Sequence, residues 1–156
     1  MREIESWMIA GFRSNTAITA LVGADNNGNP AIFGDRARVN GQFTPFPHLT
    51  VSRFSSVKSL AMFDEHSDTA GLFDCPRVAI AAWDQESKDR AYQIYRLAEQ
   101  MLLGKSPMQF ANQYFSGYKI VRTVFRDDLF DDRAQAYHIH GEFSMWAQLT
   151  DSQQPY

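Results

Sequence analysis

Residues 77–104 read RVAIAAWDQESKDRAYQIYRLAEQMLLG and place the two clearest secondary-structure signals of the chain side by side. After Arg77, residues 78–83 form a continuous apolar run, which predicts a strand covered on both faces. From Asp84 onward, apolar residues recur at spacings of three and four, which predicts a long helix. Asp84 or Ser87 can cap its start and Gly104 can end it. A central strand that leads directly into one long helix is therefore the expected centre of the fold.

Working outward from this stretch, the patterns predict short N-terminal helices and further strands. The predicted elements are helices over 3–12 and 17–22, a short edge strand over 36–39, and strands over 48–54, 118–125 and 136–149. The last two strands follow each other through an acidic connection at 127–132, which predicts a wide hairpin. In strand 118–125, Ile120, Arg122 and Val124 are expected to share one face. The predicted class is α+β, a mostly antiparallel β-sheet packed against one long helix.

The chain length of 156 residues predicts a single domain that spans 1–156. The stretch 55–74 has no clear period and predicts a long loop. The residues 150–156 are expected to form a flexible C-terminal tail. No glycine-rich turn follows Trp83, which argues against a nucleotide-binding βα unit.

Composition excludes several functional classes. No apolar run approaches the roughly 20 residues of a membrane helix, and the N-terminus lacks the pattern of a secretory signal, so no membrane partner is expected. The net charge is −3 and the basic residues are scattered, which argues against a dedicated nucleic-acid binder. The only cysteine, Cys75, is flanked by Asp74 and Pro76 and is expected to be a passive thiol.

The strongest local candidate for chemistry is the set His138, His140 and Glu142, which alternate along one face of the last predicted strand. Imidazole and carboxylate groups bind zinc or iron, so these residues could hold a metal. The polar face of a solvent-exposed strand contains the same residue types, and we favour that interpretation. His48 and His66 could serve as bases, but no nucleophile elbow or phosphate-binding loop accompanies them, and no catalytic residue or cofactor is predicted.

Two further sets of residues are candidates for interactions. Asp127, Asp128, Asp131 and Asp132 lack the spacing of a calcium loop and are expected to be a solvated acidic segment. The last strand is longer than the core of a small domain can cover, so part of it is expected to meet a partner. The predicted assembly contacts are Met62, Phe63, Leu72, Phe73 and Trp146.

Read as a whole, the order of elements resembles the tail-completion, or tail-terminator, proteins of long-tailed bacteriophages and prophages. The resemblance is carried by AITALVG at 17–23, PFPHLTVSR at 45–53, the segment VAIAAW at 78–83 with the helix after it, and the acidic connection RDDLFDD at 126–132 followed by YHIHGEFSMW at 137–146. The segments 24–34 and 55–74 depart from the family pattern.

The resemblance implies a structural virion protein without a cofactor or catalytic residues. Such a protein forms a ring, a hexamer by this resemblance, on the head-proximal end of the tail tube. It stops tube polymerisation and joins the tail to the neck, so its partners are copies of itself, the tail tube protein and the neck or head-tail connector protein. The acidic residues 127, 128, 131 and 132 are expected to face the ring lumen, where DNA is only passing cargo. The location implied is the virion, after assembly in the bacterial host cytoplasm.

Two other functions stay open at this point. The first is a small metal-dependent enzyme or ligand-binding protein built on His138, His140 and Glu142. The second is a soluble adaptor that binds one partner as a monomer.

Overall fold

The computed structural model describes residues 2–34, 38–39, 42–43, 45–58, 73–103 and 115–149. Side chains are described for 4–34, 45–52, 77–103 and 120–145. The middle of the predicted long loop and the predicted C-terminal tail lie outside the described residues.

The fold is α+β, as predicted, with a five-stranded sheet and a separate two-stranded ribbon. In chain order the elements are α1 (Arg2–Ser14), α2 (Thr16–Thr19), β1 (Ile32–Phe33), β2 (Arg38–Val39), β3 (Gln42–Phe43), β4 (His48–Lys58), β5 (Phe73–Asp84), α3 (Lys88–Leu103), β6 (Phe115–Asp131) and β7 (Ala136–Leu149). The sheet order is β1-β4-β5-β7-β6, and β2 pairs with β3. Only the β1–β4 pair of the main sheet is parallel.

The central position predicted for the apolar run is confirmed, because β5 is the middle strand of the sheet. Val78, Ile80 and Ala82 are completely buried beneath the helices. On the other face, Ala79 and Ala81 are also buried. A middle strand that is buried on both faces carries apolar side chains on both, which is the pattern seen in the sequence.

Helix α3 begins where its predicted caps allow. The Ser87 hydroxyl accepts a hydrogen bond from the amide of Arg90 at 3.1 Å, while the Asp84 carboxylate accepts from the amides of Glu86 and Ser87 at 2.8 and 3.2 Å. These bonds satisfy amides that lack partners at a helix start. The apolar face of α3 then packs on the sheet through a row of buried side chains, comprising Ala91, Ile94, Tyr95, Ala98 and Leu102.

The N-terminal helices cover the β1–β4 edge of the sheet. Ile4, Met8 and Phe12 lie on one face of α1 and are completely buried. The side chain of Asn15 then caps α2, because its Oδ1 accepts hydrogen bonds from the backbone amides of Ala17 and Ile18 at 3.0 and 3.1 Å. Two short helices joined by a cap at this point agree with the sequence patterns. Within the described residues, no helix combines the length and the apolar character that a membrane crossing requires.

The predicted acidic connection is wrong in its boundaries, because most of it belongs to β6. The strand continues to Asp131, which pairs with Ala136, and the loop is only the four residues 132–135. Leu129 and Phe130 hold this part in the sheet by pairing with the two β7 residues His138 and Tyr137. Apolar residues inside an acidic run therefore behave as strand residues when a long partner strand is available.

The face predicted for Val124 is also wrong. Arg122 pairs with Phe143 and Val124 with Glu142, so one extra residue, Thr123, forms a bulge. The bulge reverses the alternation, and Val124 joins the face of Glu142. Two further register shifts lie between Gly117 and Lys119 and between Arg126 and Leu129. Alternation does not reveal the bulge at Thr123, since the residue types around it do not interrupt the strand pattern, whereas Asp127 and Asp128 are typical of a connection.

The predicted loop 55–74 is shorter than expected. Strand β4 continues to Lys58 and β5 begins at Phe73, and Lys58 pairs with Asp74. Residues 59–72 lie outside the described residues. The serines at 55 and 56 and Pro76 interrupt the apolar alternation, so the sequence does not indicate strands there. In the structure these residues lie in paired parts of β4 and β5. The sheet is consequently longer than the predicted strands.

Candidate functional site

One candidate site is an aromatic row on the sheet face opposite α3. His48, Trp83 and His138 pair at the same register on β4, β5 and β7. The Trp83 ring stacks on His138 with centroids 4.2 Å apart and lies 5.9 Å from His48. The Trp83 indole also donates a hydrogen bond to the hydroxyl of Thr50 at 3.2 Å. The Trp83 side chain is therefore held by His138 on one ring face and by Thr50 at the indole nitrogen.

Burial in this row changes the titration of both imidazoles. His48 is almost completely buried and is enclosed further by Phe46, whose ring centroid is 4.7 Å away. Burial lowers the pKa of His48 to about 4, although its interaction with the backbone of Pro45 opposes the shift. Burial also lowers the pKa of His138, and the neighbouring His140 adds to the effect. Both rings are consequently neutral at neutral pH.

The three candidate metal ligands do not act as one group. His138 belongs to the aromatic row, whereas His140 Nε2 lies 3.3 Å from Glu142 Oε1. The other oxygen of Glu142 forms an ion pair with Arg77 at 3.7 Å. Over the described residues, no group of three or more histidine, cysteine, aspartate or glutamate side chains could hold a metal ion. The polar strand face is thus held by pairwise contacts.

A second candidate surface is the acidic tip, which we define as residues 126–133. Asp127, Asp128 and Asp132 are exposed, and Asp127 and Asp128 lie in the bulge of β6. The carboxylate of Asp131 accepts hydrogen bonds from the amides of Arg133 and Ala134 at 2.9 and 2.8 Å. These bonds, the one from Ala134 foremost, lower the pKa of Asp131. Three of the four predicted acidic residues are therefore available to solvent or a partner, and Asp131 shapes the turn.

A third surface, which the sequence did not reveal, is an open groove of about 440 Å³ between α3 and β6. The residues lining this α3–β6 groove are Arg96, Glu99, Gln100, Leu103 and Arg122. The sequence contained a signal for this groove. Glu99 is a charged residue within the apolar stripe of a predicted helix, and Arg122 is a charged residue on a predicted strand face that otherwise carries apolar residues.

Ion pairs organise the α3–β6 groove. Arg122 donates a hydrogen bond to Glu99 Oε1 at 2.5 Å, and Arg96 lies 3.7 Å from Glu99 Oε2. Beneath them lies the buried Tyr95, whose hydroxyl makes no hydrogen bond of good geometry, although the Arg122 guanidinium is close enough to influence it. Burial, aided by the Glu99 carboxylate, raises the pKa of Tyr95 to about 12. The phenol stays protonated at neutral pH and offers no base.

The side chains of the predicted assembly contacts are not among those that the structure describes. Met62, Phe63 and Leu72 lie outside the described residues. For Phe73 and Trp146 only the backbone is described, at the start of β5 and near the end of β7. Their predicted role stays a prediction.

The chain matches no protein-family model, and no curated protein matches it in sequence.

Proposed function

We propose that this chain is a structural virion protein that caps a phage tail tube as an oligomeric ring, ends tail polymerisation and provides the head-tail joining surface. The proposal rests on the resemblance in the order of elements, together with the α+β architecture that the resemblance implies. Its partners are further copies of this chain, the tail tube protein and a neck protein, and its location is the head-proximal end of the virion tail.

The observation that carries the proposal is that the sheet is longer than its helical cover. Strand β5 has 12 residues, which at about 3.3 Å each span about 40 Å. Helix α3 has 16 residues and spans about 24 Å at 1.5 Å per residue. Its last turns reach the register of Arg122 and Phe143, where Glu99 binds Arg122. The strands continue beyond that register.

We call the remaining four-stranded part the sheet extension, comprising residues 56–58, 73–76, 115–119 and 146–149. By these lengths, α3 ends before it. A sheet gains stability by burying at least one face against another layer, so a part that extends past this helix is suited to contacts with other molecules. A ring protein needs such surfaces for its neighbours and for the tube.

The outer edge of β6 supports the same function. This strand of 17 residues ends the sheet order, so within the described residues no strand pairs with its outer side. An unpaired edge offers backbone donors and acceptors to another chain. Exposed arginine and aspartate residues along β6 restrict which chains can approach, a feature that favours specific assembly over aggregation.

The decisive experiment images tails from a phage or prophage that lacks this gene. Negative-stain micrographs are expected to show tails of uncontrolled length, or tails of normal length that fail to join heads. Supplying the wild-type gene from a plasmid should restore complete virions, which controls for effects on neighbouring genes. Normal numbers of complete virions without the protein would refute the proposal.

A second measurement addresses the ring directly. Size-exclusion chromatography with light scattering, at high protein concentration and with purified tail tubes, is expected to show an oligomer of this chain on the tube. A chain that stays monomeric under both conditions contradicts a ring and supports a monomeric adaptor.

A further inference from the structure

The α3–β6 groove carries more positive than negative charge. One carboxylate, that of Glu99, interacts with two guanidiniums, those of Arg96 and Arg122. One positive charge in the groove is therefore left without a counterion from the residues that line it. The side chains of Arg96 and Arg122 are 49% and 39% exposed, so both can accept a further anionic partner. Leu103, 40% exposed, adds an apolar wall.

The acidic tip of the same chain has the complementary properties. Its eight residues contain four aspartates and two arginines, a net charge of −2. Phe130 lies among the aspartates and is 46% exposed, more than any other large apolar side chain among the described residues. Exposed aromatic residues surrounded by charge are typical of interface anchors. The tip therefore presents an aromatic anchor with carboxylates around it.

The tip cannot reach the groove of its own molecule. Arg122 and Phe130 pair with Phe143 and Tyr137, which lie six residues apart on β7, and about 3.3 Å per residue separates them by about 20 Å. Both ends of β6 are fixed by pairing with β7. The two surfaces can meet only between different molecules.

We propose that the acidic tip of one copy docks into the α3–β6 groove of a second copy. Phe130 packs against Leu103, and the exposed carboxylates of Asp127 and Asp128 bind Arg96 and Arg122. The contact joins two different surfaces, so it is heterologous, and repeating it produces a ring when the rotation closes. The inference thus rests on the proposed ring function and specifies its subunit interface.

This docking gives the acidic residues a different place from the lumen-facing one that the family resemblance implies. A carboxylate that binds an arginine of the next subunit is removed from the channel and contributes to assembly. A lumen-facing carboxylate forms no attractive contact with the next subunit. Charge reversal distinguishes these two placements.

The test combines two charge reversals with control reversals at exposed positions outside both surfaces. Arg96→Glu and Asp128→Lys are each expected to weaken self-association about tenfold, since each replaces attraction by repulsion across the interface. The combined variant restores the opposite charges and is expected to recover most of the association. Matched controls are Lys88→Glu at the other end of α3 and Glu86→Lys, both exposed and outside the two surfaces. Circular dichroism checks that every variant is folded.

Photo-cross-linking from position 130 tests the contact itself. With p-benzoylphenylalanine in place of Phe130, irradiation of assembled protein is expected to join it to residues 96–103 of a second copy, as mapped by mass spectrometry. Oligomers that form normally with either single charge reversal, or that cross-link elsewhere, overturn this docking and leave the ring proposal standing. Failure to self-associate at high concentration and on tail tubes overturns both.

Discussion

The ring of Tyr95 on α3 packs directly on the backbone of Gly141 on β7. A Cβ atom at position 141 would lie 2.1 Å from the Tyr95 hydroxyl oxygen and 2.7 Å from Cζ. Both distances are far below van der Waals contact. The small residue at 141 therefore allows the largest completely buried side chain to fit between helix and sheet.

Gly141→Ala is expected to destabilise the protein by about 1–3 kcal/mol, the usual cost of inserting a methyl group into a packed core. The new methyl group is attached to the backbone of β7, which is held by pairing with strands on both sides. The Tyr95 ring therefore has to move. The free energy of unfolding from urea denaturation measures this effect.

Tyr95→Phe provides the internal test of that explanation. It removes the closest atom, and the lost hydroxyl has no hydrogen bond of good geometry, so the single variant is expected to cost little. The double variant should be less destabilised than the sum of the two single variants. Tyr92→Phe, on the exposed side of α3, should give no such coupling. Strict additivity with Tyr95→Phe would show that the hydroxyl oxygen is not the atom that causes the loss.

The carboxylate of Asp84 supports the second prediction. It is buried, caps two amides and forms a close ion pair with Arg90. Burial alone would raise the pKa of Asp84, but the hydrogen bonds from Arg90, Glu86 and Ser87 together lower it below 3.8. Asp84→Asn is expected to cost about 1–3 kcal/mol at pH 7, since a charged acceptor is replaced by a weaker neutral one.

The cost of Asp84→Asn should depend on pH in a defined direction. A lowered pKa in the folded state contributes stability above the unfolded value of 3.8, and this contribution is lost as the pH falls through the folded pKa. The difference between wild type and variant should therefore shrink below about pH 4. Asp89→Asn, in the exposed first turn of α3, serves as the control and should change stability by less than about 0.5 kcal/mol. A cost independent of pH down to pH 2 would contradict the role of the charge.

His48 supports the third prediction, with a pH dependence of its own. Its folded pKa of about 4 lies below the ordinary 6.5, so the unfolded chain binds more protons between these values. Stability is then expected to rise with pH across this window and to be fully gained above about pH 6.5. The shift corresponds to roughly 3 kcal/mol between the acid and neutral limits.

His48→Phe should remove this part of the pH dependence while keeping the aromatic packing against Phe46 and Trp83. Urea denaturation at several pH values between 4 and 7 measures the slope. Trp83→Phe changes a neighbour in the same row without removing a titrating group, so it should lower stability while the rise of stability with pH persists. If His48→Phe retained the full wild-type slope, another group would have to account for it.

The central strand and its helix were predictable because their residues obey a single period. Val78 and Ile80 face the helices, Ala79 and Ala81 are also buried, and α3 follows a cap visible in the sequence. Local chemistry and tertiary packing agree there, so the pattern alone determines both elements. The cap at Asn15 was predictable for the same reason.

Bulges and long-range pairs could not be predicted in this way. Thr123 reverses the faces of β6, and its residue type is an ordinary strand former. The continuation of β6 through Asp127 and Asp128 depends on pairing with β7, which alternation within β6 does not encode. The α3–β6 groove joins Glu99 to Arg122 across 23 positions. Such a site exists only once the register of β6 against β7 is fixed.

The hairpin loop between β6 and β7 provides the fourth prediction. Gln135 has φ of 49°, the left-handed region that β-branched residues avoid. Its side-chain amide also donates a hydrogen bond to the carbonyl of Asp132 at 2.6 Å. Gln135→Val is expected to destabilise the protein by about 1 kcal/mol, because valine is strained at this backbone conformation.

Gln135→Asn is the matched control for this change. Asparagine loses the same long side chain but tolerates the left-handed conformation, so its stability should stay within about 0.5 kcal/mol of wild type. Thermal and urea unfolding of the three proteins compare the effects. Equal losses for valine and asparagine would assign the effect to the hydrogen bond to Asp132, whereas a loss confined to valine assigns it to the backbone. The second outcome is expected, because the exposed hydrogen bond competes with water and contributes little by itself.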